Sequence, residues 1–451
     1  MKGQERITPR MRPAEERIHD FYEVNLGFTR EEALLEASRC VLCGACIKGC
    51  PVGIDIPGFI KAVQEEDFQK GIHIIKEYNL LPAICGRVCP QENQCEAECV
   101  LGKKGKAINI GALERFLADN YADEKLPDIR ENGRRAAVVG SGPGGLTAAF
   151  ELRRAGFRVT VYEALHELGG VLKYGIPGFR LPDEVIDSEI ETLKKMGVEF
   201  LTSFLIGKTL TIDELLQEND AVLIATGAGL PGYLGIPGEN GIGVLLANEL
   251  LTRVNLMKAG RFPEYDTPVI LGEHVVVIGG GNVAMDAARV SRRLGAQVTI
   301  CYRREEKDMP ARQEEMEHAK EEGIVFKTLT NPVEILLDEE GRVRGIRVEK
   351  MKVTGVADDG RSRIASTGEA FEIKTDMVVE AIRQSPNKII RENVEGLEFD
   401  KKGRLIVDDN LMTTKDRVWA AGDIVSGAAT VILAMGEAKK AARAIVEKCG
   451  G

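Results

Sequence analysis

The sequence predicts an α/β fold in which a helical, cysteine-rich N-terminal domain precedes two Rossmann-like domains, the second inserted into the first. Three observations predict it. Eight of the ten cysteines lie between residues 40 and 99, in two short runs. A strand, glycine turn, helix, glycine and second strand occur twice, at an offset of 139 residues. A strand ending in Gly422-Asp423 follows both copies and leads into a glycine-rich loop and a helix. At 451 residues, 44% hydrophobic and 29% charged, the chain has the makeup of a soluble protein of two to four domains. A net charge of −10 disfavours nucleic acid as a partner, and apolar runs such as Val275–Ile278 are far too short for a membrane span.

The first cysteine run is Cys40-x2-Cys43-x2-Cys46-x3-Cys50-Pro51, and the second is Cys85-x3-Cys89-Pro90-x5-Cys95-x3-Cys99. The first has the spacing of bacterial ferredoxins, where three thiolates hold one cubane and the fourth reaches a second. Two 4Fe–4S clusters are therefore expected. Structural zinc is the competing reading of CxxC pairs, but zinc sites usually combine two such pairs or mix Cys with His, and only His73 lies between the runs. Disulfides fit poorly with an N-terminus, Met1–Arg6, that lacks an apolar leader, and the expected location is cytoplasmic. Thr29-x-x-Glu32 reads as a capping box opening a helix that ends at Cys40. Pro57 suits the first turn of a second helix running to about Tyr78, and residues 109–120 read as a third.

Residues 136–163 read AAVVGSGPGGLTAAFELRRAGFRVTVYE, and residues 275–302 read VVVIGGGNVAMDAARVSRRLGAQVTICY. Each is the opening βαβ of a dinucleotide-binding domain. In the first copy Gly140 makes the tight turn, Gly142 lets backbone approach a pyrophosphate, and Gly145 lets helix pack on strand. The helix beginning at Pro143 aims its N-terminal amides at the phosphates. Glu163, at the end of the second strand, can accept ribose hydroxyls, and the pair Gly169-Gly170 follows. In the second copy Gly279 and Gly281 are kept, Ala284 replaces the third glycine, and Tyr302-Arg303-Arg304 replaces the carboxylate. Two guanidinium groups suit a 2′-phosphate. The first copy is therefore read as the FAD site and the second as the NADP(H) site; the bland alternative for the arginines is a solvated basic turn. Cys301 reads as a buried strand residue. Asp423 can accept from a ribityl chain, and the helix N-terminus at Thr430-Val431 can face the flavin's pyrimidine end. The expected division is 1–130 for the cluster domain, 131–233 and 386–451 for a discontinuous FAD domain, and 234–385 for the inserted NADP(H) domain.

Together with GSGPGG, YEALHELGG, YGIPGFRLP, ATGAG, GGGNVAMDAAR, YRR and AGD, the cysteine runs resemble the glutamate synthase small (β) subunit family. The family the chain resembles also contains the large subunit of NADH-dependent ferredoxin:NADP oxidoreductase, also described as sulfide dehydrogenase α subunit, and includes the N-terminal half of dihydropyrimidine dehydrogenase. The resemblance implies one cluster on Cys40, Cys43, Cys46 and Cys99, and another on Cys50, Cys89, Cys95 and a side-chain oxygen of Glu114, leaving Cys85 a non-ligand. It implies FAD contacts from Gly140, Ser141, Gly142, Pro143, Gly145, Glu163, Gly170, Val171, Arg180, Gly422, Asp423, Thr430 and Val431. For NADP(H) it implies Gly279, Gly280, Gly281, Asn282, Val283, Ala284, Arg303, Arg304 and Arg383. Two departures stand out: the spacer Gly44-Ala45 is shorter than the family often has, and Arg383 stands where the family usually has glycine.

The function implied is an NADPH-linked FAD/iron–sulfur oxidoreductase subunit that exchanges electrons with a partner subunit. That partner is either a small FAD/2Fe–2S subunit or a glutamate synthase large subunit, and ferredoxin is a further candidate. Hydride transfer to FAD needs positioning rather than an acid or base, so no catalytic side chain is nominated. Thioredoxin-reductase chemistry is excluded because residues 235–385 contain only Cys301 and no CxxC. The alternative is an electron-relay or scaffold subunit whose NADP(H) site is idle.

Overall fold

The computed structural model describes residues 5–121 and 126–449; residues 1–4, which begin the segment read as lacking a leader, lie outside the described residues. The N-terminal region is helical. Thr29 opens the helix Arg30–Ser38 with a reciprocal capping box to Glu32, a device worth about 1 kcal/mol. The helix expected from Pro57 to Tyr78 is instead two helices, Ile56–Gln64 and Phe68–Tyr78. Glu66 between them takes a left-handed backbone (φ 60°), and Asp67 caps the second helix through the Lys70 amide. A third long helix spans Ile110–Asn120, capped by Asn109. Phe59, Ile60, Ile72, Ile75, Leu113 and Leu117 form the core between these helices. Each such buried side chain contributes roughly 1.5–3 kcal/mol.

Two five-stranded parallel sheets follow, built on the sequence repeat. In the first, Arg135–Val139 pairs with Arg158–Tyr162, and Val139 stands opposite Tyr162. In the second, His274–Ile278 pairs with Gln297–Cys301, and Ile278 stands opposite Cys301. The 139-residue offset thus carries through strand, register and helix, since Pro143–Arg154 and Asn282–Arg293 occupy matching places. The first sheet is completed by Glu199–Leu201 beyond Arg158–Tyr162, and by Ala221–Ile224 and then Val418–Ala420 on the other side. The second sheet has Val325–Lys327 in the first of these places, and Met377–Glu380 then Val244–Leu246 in the others. The outermost strand therefore comes last in the chain in one sheet and first in the other.

The two lobes are joined by a short antiparallel pair, Leu230–Pro231 with Gln384–Ser385. A separate antiparallel sheet, Thr330–Leu337, Val343–Val356 and Ser362–Lys374, flanks the second lobe. The helix Val431–Cys449 packs along Pro143–Arg154, with Ala438, Ala441, Ala442 and Ile445 fully buried. Among the described residues, no helix is long and apolar enough to cross a membrane.

Candidate cofactor sites

The cysteines gather into two sets. Burial raises the Cys40 thiol, with Cys99 and Cys43 adding to it. Burial likewise pushes Cys46 up to about 12, with Cys40, Cys43 and Cys99 as its charged neighbours. These four thiols line one cavity with Pro57, Ile60 and Ile108. The Leu42 amide donates to the Cys40 sulfur (3.4 Å) and the Ile108 amide to that of Cys99 (3.5 Å). Gly44 is left-handed (φ 79°), which lets the two-residue spacer turn the chain between Cys43 and Cys46.

The second set surrounds Glu114. Cys50 is raised by burial and by the Glu114 charge; Cys95 is raised by burial, then by Glu96, Glu114, Cys89 and Cys50. Cys89 is raised first by its hydrogen bond with Cys85, then by burial, and also by Glu114. Glu114 is 6% exposed, and burial pushes it up to about 8, against the Asn79 side-chain amide that donates to it at 2.7 Å. Cys85 also borders this set, 1% exposed. Among the described residues no three His, Cys, Asp or Glu side chains close in on a single metal ion. Four thiols around one cavity suit a polynuclear cluster better than a single ion.

In the first lobe, Gly140 (φ 105°) passes so close to the neighbouring strand end that a Cβ there would lie 2.5 Å from the Ala225 carbonyl oxygen. A Cβ on Gly145 would lie 1.9 Å from the Gly140 oxygen, whereas one on Gly142 would meet nothing within 4 Å. The helix starting at Pro143 thus meets open space where a pyrophosphate would lie. Glu163 accepts from the Ser141 amide (2.9 Å), the Ser141 hydroxyl (2.5 Å) and the Leu165 amide (2.9 Å). Ser141 in turn accepts from the Gly169 amide (3.0 Å), so strand end, turn and glycine pair are tied together. Gly170 and Val171 begin a short helix against Gly142. Ile224 pairs with Val139 and Ala420, which brings Gly140, Ala225 and Gly422-Asp423 to the carboxyl edge of one sheet, where dinucleotides bind. Burial raises Asp423 to about 6, and it accepts from the Ala429 amide at 3.2 Å. Arg180 is engaged elsewhere: its guanidinium holds Asp286 (2.8 Å) and Glu315 (3.0 Å), both in the second lobe.

In the second lobe Gly279 repeats the close approach: a Cβ there would lie 2.3 Å from the Ala381 oxygen and 3.3 Å from the Ala284 methyl. Val283 and Ala284 form the first helical turn, and the Asn282 side chain accepts from the Arg312 amide at 2.9 Å. The Tyr302 ring packs over Gly280, and the Ala311 amide donates to the Gly280 oxygen (3.1 Å), so the loop after Gln297–Cys301 borders the glycine turn, whose Gly281 faces Pro310. Arg303 is exposed and unpaired among the described residues, while Arg304 donates through Nε to the Ser362 oxygen at 3.1 Å. Cys301 is buried and donates to the Thr330 oxygen. Arg383 is exposed with φ 39°, and Ala381-Ile382-Arg383 matches Ala225-Thr226-Gly227 of the first lobe, where Gly227 has φ 69°. The arginine occupies a backbone conformation its sister lobe gives to glycine.

Two connections were invisible in the motifs. The helix Val431–Cys449, whose start was expected at the flavin, leans on the second cysteine set. Met435 Sδ is 3.6 Å from Cys85 Sγ, a Cβ on Gly436 would lie 3.0 Å from the Pro51 oxygen, and Gln94 donates to Thr430 Oγ1 at 3.4 Å. Arg312 donates to the Arg87 oxygen (2.9 Å) and to Gln91 Oε1 (3.1 Å), linking the second lobe to the cluster domain. Neither link has a local sequence signal, because each joins segments hundreds of residues apart.

Comparison with known proteins gives the chain two family matches. Residues 17–126 match the 4Fe–4S domain II of dihydropyrimidine dehydrogenase, and residues 134–441 match the pyridine nucleotide-disulphide oxidoreductases. The glutamate synthase (NADPH) small chain of Azospirillum brasilense is 36% identical over 97% of this chain and 93% of its own length. The NADP(+)-dependent formate dehydrogenase subunit beta of Moorella thermoacetica is 34% identical over 89% of this chain and 59% of its own. Among solved structures, FprA of Mycobacterium tuberculosis in complex with NADPH superposes with a TM-score of 0.59 at 21% identity, over 71% of this chain and 85% of that one, a likeness of fold.

Proposed function

Because the chain belongs to the glutamate synthase small-chain family of FAD- and NADP-binding iron–sulfur oxidoreductases, we propose that it is the subunit that moves electrons between NADP(H) and a partner subunit by way of two clusters. Bound FAD supplies the exchange between two-electron and one-electron chemistry, and the clusters supply single-electron carriage.

The chain's own residues give each group its place. The open face of Gly142, the helix start at Pro143 and the Ser141–Glu163 pair form the FAD cradle, with Asp423 and Thr430 closing it from the C-terminal segment. Gly279–Gly281 and the arginines of the following loop hold NADP(H). Cys50, Cys89, Cys95 and Glu114 hold the inner cluster, and Cys40, Cys43, Cys46 and Cys99 the outer one. The chain divides at residues 130, 233 and 385, with the NADP(H) domain between the two parts of the FAD domain.

One observation carries the order of the two clusters. The second cysteine set lies against the helix Val431–Cys449, which starts beside the proposed FAD cradle, whereas the first set reaches the surface at the exposed Cys43. Val41 and Val100, 61% and 40% exposed, give that edge an apolar rim suited to a docking protein. The partner is therefore expected to meet the Cys43 edge. Relatives named as a small chain and as a subunit beta support assembly with other chains. The test is an anaerobic NADPH titration followed by visible absorbance and electron paramagnetic resonance. Flavin bleaching with reduction of two distinct clusters is expected. Bleaching without cluster reduction would overturn the relay, and no bleaching would mean that the NADP(H) lobe is idle.

A further inference from the structure

The strands Val343–Val356 and Ser362–Lys374 run beyond their pairing with Thr330–Leu337, and the outer half of Val343–Val356 is largely exposed. The tip of the hairpin is held in place. The Ala357 amide donates to the Arg361 oxygen (2.8 Å), closing the turn. Ser362, only 3% exposed, then docks on the loop that carries Arg303 and Arg304. Its amide donates to Asp308 Oδ1 (3.0 Å), its hydroxyl donates to Glu305 Oε2 (2.7 Å), and its carbonyl accepts from Arg304 Nε (3.1 Å). Farther along, the Met351 amide donates to the Leu329 oxygen (2.7 Å). These contacts bring the neighbouring Arg361 to the loop that borders the glycine turn, within electrostatic reach of Tyr302 and Asp308.

We propose that Arg361 is a third cationic determinant of the 2′-phosphate, acting with Arg303 and Arg304 to select NADP(H) over NAD(H). This rests on reading the second glycine turn as the NADP(H) site. A phosphate monoester offers three acceptor oxygens and close to two negative charges, which is more than one guanidinium satisfies. Arg303 has no partner among the described residues, and Arg304 uses only Nε, on Ser362. Arg361 is paired with Asp359 alone, and both are about half exposed, so exchanging that pair for a phosphate costs little. Of the acidic side chains nearby, Glu305 holds Lys307 and Ser362, Glu306 holds Lys320, and Asp358 lies 3.5 Å from Arg363, while Asp308 accepts from Ser362 through one oxygen and keeps its charge.

The test is calorimetric binding of 2′,5′-ADP and of 5′-AMP to the cofactor-loaded chain and to Arg361→Gln, Arg303→Gln and Arg304→Gln, with visible spectra and thermal melts as folding controls. Arg361→Gln is expected to weaken 2′,5′-ADP about tenfold or more, the worth of one charge-assisted contact, and to leave 5′-AMP unchanged. If Arg303→Gln and Arg304→Gln lose 2′,5′-ADP while Arg361→Gln does not, the role of Arg361 is overturned and the NADP(H) reading stands. Equal weakening of both nucleotides by Arg361→Gln would also overturn it, since that marks a displaced hairpin. If the native chain does not prefer 2′,5′-ADP at all, both readings fall.

Discussion

Cys85 Sγ lies 3.6 Å from Met435 Sδ, so the C-terminal helix touches the buried edge of the second cysteine set through sulfur. The same thiol lies 3.7 Å from Asn79 Oδ1, and Asn79 donates through its other side-chain atom to Glu114 at 2.7 Å. Asn79 therefore stands between Cys85 and Glu114, the second of which is proposed as the fourth ligand.

That geometry separates their substitutions. Cys85→Ser is expected to keep about eight irons per chain, the complement of two cubanes. Its hydroxyl can donate to Asn79, and the cost to stability should be about 1 kcal/mol. Glu114→Ala is expected to lose about four irons, one cubane. Iron and sulfide analysis of the purified variants checks both, and loss of iron from Cys85→Ser would reverse the ligand assignment.

Arg312 joins the second lobe to the cluster domain with two donors on Arg87 and Gln91, and it is only 8% exposed. Removing it leaves the buried Gln91 oxygen and the partly buried Arg87 oxygen without this donor. Arg312→Ala is therefore expected to destabilise the chain by about 2 kcal/mol while leaving iron content unchanged. A urea midpoint equal to that of the native chain would contradict this.

Local signals were legible and long-range ones were not. The proline opening Pro143–Arg154, the Thr29/Glu32 box and the strand-length apolar runs act within a few residues, and the structure has each element where these signals lie. The break at Glu66 was missed because only Asp67 marks it, in a stretch whose apolar spacing continues as though helical. Arg180 lies within the YGIPGFRLP motif, and its pairing with Asp286 and Glu315 of the other lobe has no local signal. The hairpin that brings Arg361 to the Arg304 loop has no motif; its register comes from pairing across strands. Glycine spacing, by contrast, revealed the turns directly, because the contact distances at Gly140 and Gly145 admit no side chain.

Arg383 and Gly227 hold matching positions in the two lobes, and only the glycine is at ease there. A left-handed backbone costs a non-glycine residue roughly 1–2 kcal/mol, while glycine's greater freedom in the unfolded chain costs roughly 0.5–1 kcal/mol. Arg383→Gly should thus raise stability by up to about 1 kcal/mol. A thermal melt reads it, and a clear loss of stability would show that the arginine side chain holds the return segment in place.

Glu380 and Glu239 set a pH dependence at the entry to the second lobe. Both carboxylates turn to the Leu234 amide, and Glu380 is 1% exposed, with one oxygen lacking any other partner. Burial, then the hydrogen bond and charge of Glu239, raise Glu380 from 4.5 to about 8. The folded chain therefore keeps a proton that the unfolded chain releases near 4.5. Stability falls as pH rises wherever the native state binds more protons, so this contribution is fully present below 4.5 and is lost as pH rises through about 8. Glu380→Gln keeps a neutral donor at every pH. The melting temperature of the native chain should drop between pH 5 and pH 9 by more than that of the variant; parallel profiles would show that Glu380 does not hold a proton in the folded chain.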